Sequence, residues 1–122
     1  IQKNSTQVFC PTIDARRDEI YYGLYLQDGT VMQSSTNIIL TADFMKRQLV
    51  DKTIVIGGSG AIKCKKIATD RLFQIDLSTT PSATWMIRLA EKQFVMGNFS
   101  DPVYFEPNYI KPAFISSSRV IL

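Results

Sequence analysis

A chain of 122 residues, 45% hydrophobic and 20% charged, is long enough for one self-sufficient core and too apolar for a disordered tail. Fourteen basic against eleven acidic residues leave a net charge of +3, short of the strong positive balance of dedicated nucleic-acid binders. The lack of any histidine excludes Ser-His-Asp and Cys-His catalytic sets and imidazole metal sites.

No low-complexity stretch, internal repeat or linker divides the sequence, so residues 1–122 read as a single β-rich domain. The chain opens at Ile1 with neither an initiator methionine nor an apolar leader, as a mature product or a fragment of a larger protein would. Asn4-Ser5-Thr6, and later Asn98-Phe99-Ser100, fit the N-glycosylation pattern. Cys10 and Cys64 are too few for a four-thiolate zinc site and too far apart for a redox CxxC pair. A disulfide between them, closing a loop of roughly 55 residues, would stabilise the fold by about 4 kcal/mol. Together these features favour an extracytoplasmic location, secreted, periplasmic or on a particle surface, with the cytoplasm as the alternative.

Asp14-Ala15-Arg16-Arg17-Asp18-Glu19 is the densest group of carboxylates, but with two arginines inside it the stretch reads as a solvated, self-neutralising loop. A carboxylate-based hydrolase needs two carboxyl groups across a cleft, and the spacing shows none. From Glu19 onward the pattern becomes that of a strand. Tyr21, Gly23 and Tyr25 share one face, Tyr22, Leu24 and Leu26 the other, and Asp28-Gly29 predicts a type I′ hairpin turn before Val31 and Met32.

One helix is expected near 42–50, capped by Thr41, with Phe44, Met45, Gln48 and Leu49 at helical spacing. Thr53 to Ile56 and Ala61 to Thr69 then suggest a second hairpin around Gly57-Gly58-Ser59-Gly60. On its return strand Lys63 and Lys65 would share a face, with Ile62, Cys64 and Lys66 on the other. Alternation continues at Phe73, Ile75 and Leu77, and again at Trp85, Ile87 and Leu89, where Trp85 reads as a core residue. Phe94 with Met96 and Val103 with Phe105 extend it, between loops at 97–102 and 106–112. Phe114 to Leu122 is expected as a last strand.

Many short strands and one short helix predict a mainly β fold, an antiparallel β-sandwich or small closed barrel, with an OB-like barrel as the alternative. The candidate binding residues are Tyr21 and Tyr25, whose rings flank Gly23 and leave a shallow slot for a sugar, a nucleobase or a side chain, and the basic group Lys63, Lys65, Lys66 and Arg71. Nothing points to catalytic groups, a metal or a cofactor. The chain therefore reads as a non-enzymatic extracytoplasmic binding module for receptor recognition, adhesion or assembly of an exported or virion-type particle. The alternative is an intracellular OB-like domain that holds single-stranded nucleic acid. A protein or glycan partner is expected ahead of nucleic acid, with homo-oligomers through edge strands and no membrane span, since no apolar run approaches the roughly 20 residues a bilayer requires.

Overall fold

The computed structural model describes residues 7–43 and 52–112. Its centre is one open sheet of five strands in the order β3-β2-β1-β4-β5. The strands are β1 (Gln7–Asp14), β2 (Glu19–Leu26), β3 (Val31–Ile39), β4 (Thr53–Gly58) and β5 (Phe73–Ile75). β1 with β2 and β2 with β3 are antiparallel hairpins, whereas β1 with β4 and β4 with β5 run parallel. This overturns both the antiparallel sandwich and the closed OB-like barrel, because a sheet with parallel pairs needs crossover connections that hairpins cannot supply.

The Tyr21 to Leu26 alternation does form β2, and the hairpin to β3 is present. Its turn differs in type. Gly29 alone adopts a left-handed φ of 86°, the Gly29 N–H donates to the Leu26 carbonyl at 3.0 Å, and Asp28 Oδ1 accepts from the Thr30 N–H at 2.9 Å. A type I′ turn needs two residues at positive φ; a three-residue loop closed by a left-handed glycine needs one.

β1 gave no sequence signal because Pro11 stands in its middle, and proline lacks the N–H a ladder requires. The pairing with β2 is made on either side of it, at Phe9–Tyr25 and Thr12–Tyr22. Val8, Cys10 and Thr12 of β1, Ile20, Tyr22 and Leu24 of β2, and Ile54 and Ile56 of β4 form the buried face. Thr12 is the one buried polar side chain of the described core, and its hydroxyl donates to the Gly57 carbonyl at 2.7 Å.

The expected second hairpin is a strand-to-helix turn. After Gly57-Gly58-Ser59-Gly60 the chain enters α1 (Ala61–Lys65), whose Ala61 and Cys64 pack on the buried face. Spacing of three puts those two side chains on one side of a helix, a pattern that the alternation of Ile62, Cys64 and Lys66 masked. The glycines are required by close approach. A Cβ at Gly58 would lie 2.2 Å from the Thr12 carbonyl oxygen, and one at Gly60 would lie 3.0 Å from both Thr12 and Ile20 side chains.

Further along, Phe73 and Ile75 form β5, but Leu77 lies in the turn beyond it. The next expected strand is a 3₁₀ turn (Ala83–Met86) followed by α2 (Ile87–Val95), opened by the Thr84 N–H donating to the Ser82 hydroxyl at 3.2 Å. Phe94 and Met96 belong to the end of this helix, and Val103 and Phe105 to turns and irregular chain. Ala42 and Asp43 are helical, while the rest of the helix expected near 42–50 and the strand expected at 114–122 fall outside the described residues.

The expected disulfide is not formed. Cys10 and Cys64 are free and buried. Burial and the neighbouring Cys64 push the Cys10 thiol up to about 12, and burial pushes Cys64 up to about 11. Both stay protonated and unreactive at neutral pH. Their folded values exceed the usual 9.0, so the stability they contribute is present below pH 9.0 and lost as the pH rises towards 11 and 12. Alkylation of natively isolated protein should label two thiols per chain, and only after denaturation. A mass two hydrogens lower without reductant contradicts this.

Candidate functional site

The face of the sheet opposite the core carries Phe9 of β1, Tyr21 and Tyr25 of β2 and Val55 of β4, all half-buried. Period-two geometry puts them there, since their sequence neighbours point into the core. Thr79, Pro81 and Trp85 and the segment 108–111 form the facing wall of a cleft of about 900 Å³. This is within the size range of small-molecule sites, with a mainly aromatic and aliphatic lining.

Tyr21 and Tyr25 do share this face with Gly23, but the slot expected between their rings is taken. A Cβ at Gly23 would lie 2.8 Å from Tyr25 Cε2, so the Tyr25 ring lies over the glycine. Its hydroxyl is 3.4 Å from the Ser35 hydroxyl. The open space lies further out, between the tyrosines and Trp85. Trp85 is 72% exposed rather than part of the core.

The described lining of the cleft includes two charged residues, Asp76 and Lys111. Asp76 accepts from the Ser78 and Thr79 hydroxyls at 2.6 and 2.5 Å, and these bonds hold its carboxyl down at about 2. Lys111 donates to Glu19 Oε2 at 2.5 Å. Asp76 is the only carboxylate among the described lining residues, so the pair that a carboxylate hydrolase needs has no second member there. Among the described residues no group of three or more His, Cys, Asp or Glu gathers as a metal site, and no helix is long and apolar enough to cross a membrane.

The four basic candidates do not form a strip along a strand. Lys63 projects from α1 and is occupied: its ammonium donates to Asp14 Oδ1 at 2.6 Å and to the Glu19 carbonyl at 3.1 Å. That bond, with the Arg16 N–H, lowers the Asp14 carboxyl below its ordinary value. Lys65 and Lys66 are exposed at the end of α1, and Arg71 is exposed in the turn before β5. None of the four lines the cleft. Sequence reasoning missed Thr79, Tyr109 and Lys111, which come from irregular segments without periodicity.

No family model and no curated protein matches the chain. Solved structures share its fold, among them the following two. One is described as an uncharacterised protein with similarity to the peptidase YeaZ from Pseudomonas aeruginosa, with a TM-score of 0.59 and 22% identity over 90% of this chain and 52% of that one. The other is YeaZ from Pseudomonas aeruginosa, with a TM-score of 0.56 and 23% identity over 85% of this chain and 50% of that one. The class defined is therefore a YeaZ-like fold around a mixed sheet, and the chain spans about half the length of the structures it matches. These matches and the free thiols overturn the reading of a secreted, disulfide-stapled β-sandwich acting as an extracytoplasmic recognition or assembly module. The compartment rested largely on the cysteine bridge, and it falls with it.

Proposed function

We propose that this chain is an intracellular, non-enzymatic binding module completed by a protein partner, which covers the segment from Ala83 to Tyr109. One observation carries the reading. α2 brings Ile87, Ala90 and Phe94 to one side at i, i+3 and i+7, yet no residue of α2 is buried, and Trp85, Phe99, Tyr104 and Phe105 beside it in sequence are exposed as well. An amphipathic helix ordinarily buries its apolar stripe, and an apolar surface of this extent marks an interaction site. The unbridged thiols support an intracellular setting. A protein suits the surface better than a glycan, because Ile87, Phe94 and Phe105 offer little hydrogen bonding.

An uncovered apolar segment makes the isolated chain self-associate at micromolar concentration. The double variant Ile87→Glu, Phe94→Glu should be monomeric by light scattering, with stability changed by no more than about 0.5 kcal/mol per site, as for exposed positions elsewhere. A monodisperse wild type, or a variant that unfolds, rejects the reading.

A second reading, single-stranded nucleic acid in the cleft, is favoured by the convergence of Tyr21, Tyr25 and Trp85 on one cavity, since aromatic side chains there offer stacking surfaces for bases. Binding of a labelled oligonucleotide that weakens as salt rises supports it; no binding at micromolar protein rejects it.

A further inference from the structure

The turn between β1 and β2 holds the only non-glycine residues at left-handed φ among the described residues, Arg16 at 65° and Arg17 at 46°. Left-handed backbone is unfavourable for side chains of this kind and persists where its surroundings over-determine it. Here they do. The Ala15 N–H donates to the Glu19 carbonyl, the Glu19 N–H to the Arg16 carbonyl, the Arg16 N–H to Asp14 Oδ1 and the Leu40 N–H to the Asp18 carbonyl. The Asp14 N–H in turn donates to the Ser59 hydroxyl at 3.1 Å. Five hydrogen bonds among three parts of the chain thus fix the tip that carries two exposed arginines.

The turn is only partly self-neutralising. Of its three acids, Asp14 is engaged with Lys63 and Glu19 with Lys111, which leaves the exposed Asp18 against two arginines and a net charge of +1 on the tip. Neither arginine is ion-paired with a described residue. Ile13 and Tyr21, on the two strands that lead into and out of the turn, line the aromatic cleft. The turn that carries Arg16 and Arg17 therefore joins two strands that line the cleft, which Trp85 and Tyr109 also line.

We propose that the Arg16–Arg17 turn holds the phosphodiester backbone of a single-stranded nucleic acid, one base of which enters the adjoining cleft. The proposal rests on the second reading above and assigns the phosphate contact to the arginines instead of Lys63, which is occupied. A guanidinium offers paired N–H donors that match two phosphate oxygens. An acidic protein segment offers a similar oxyanion but brings no ring to the cleft, which is why nucleic acid is the ligand chosen.

The test uses the whole chain, a fluorescein-labelled ten-nucleotide single strand and anisotropy read across a salt series. Asparagine tolerates left-handed backbone, so the double variant Arg16→Asn, Arg17→Asn keeps the fold, checked by circular dichroism and thermal midpoint. Its affinity should fall by about tenfold or more, and its salt slope by about 1.4, two phosphates at about 0.7 each. The double Arg→Lys variant should keep the slope while losing affinity, because charge survives and the paired donors do not. Hexaglutamate should compete poorly. Unchanged affinity and slope in the Asn variant, with the wild type binding, overturns this inference and leaves the second reading standing. A wild type that binds no oligonucleotide overturns both, and competition by hexaglutamate as strong as by the oligonucleotide overturns the choice of nucleic acid in favour of an acidic protein segment.

Discussion

Gly58→Ala is expected to destabilise the protein by about 3 kcal/mol or more, the largest effect of any single added methyl group. Two costs combine. Gly58 has a φ of 94°, which an alanine adopts only with strain, and the new Cβ would fall 2.2 Å from the Thr12 carbonyl oxygen, a backbone atom of the adjacent strand. The clash cannot be relieved by a side-chain rotation. It requires β1 and β4 to separate where their parallel register ends at Thr12–Gly58. Gly29→Ala is the control: its φ of 86° is similar, but nothing lies within 4 Å of the added methyl, so only the conformational cost of about 1 kcal/mol remains. Urea denaturation of both variants separates the two costs. Equal losses would mean that β4 does not lie against β1 as described.

Ile56→Ala should cost about 3 kcal/mol, in the middle of the range for emptying a fully buried aliphatic site. Ile56 is 1% exposed, pairs with Cys10 on one side and Ile75 on the other, and so stands where the parallel half of the sheet meets the helical layer. The space left by three lost carbons is bounded by backbone on both flanks, which limits collapse. Ile56→Val, which removes one carbon, should cost about 1 kcal/mol. A small effect from the alanine variant would place this strand at the surface, and the core face assigned to β4 would be wrong.

The sequence made some of this fold legible, and the reasons are local. Tyr21 to Leu26 alternate without interruption and end at Asp28-Gly29, so β2, its two faces and the hairpin could all be read from adjacent residues. β1 could not be, because Pro11 contradicts a strand unless one knows that the pairing with β2 skips that position while the register with β4 runs through it. The parallel partnership of β1 with β4 joins residues more than 40 positions apart and leaves no turn to recognise. Around Trp85 the two periods compete: Trp85, Ile87 and Leu89 fit a strand, Ile87, Ala90 and Phe94 fit a helix, and the Ser82 cap decides for the helix.

The site divides in the same way. Its floor was visible in the shared face of Tyr21 and Tyr25, whereas the wall formed by Thr79, Trp85 and Tyr109 depends on how irregular chain returns over the sheet. The arginine turn was hidden by its own composition. Alternating charges suggested mutual cancellation, yet Asp14 and Glu19 reach lysines 49 and 92 residues away. Which charges remain free is decided by those long-range pairs, and no local pattern records them.

The most direct test of an uncovered binding surface is the fluorescence of Trp85, the single tryptophan of the chain. In the monomeric double variant Ile87→Glu, Phe94→Glu its emission should be that of a water-exposed indole, and acrylamide should quench it nearly as efficiently as free tryptophan. A blue-shifted emission that resists quenching would put Trp85 inside a packed core and contradict the account.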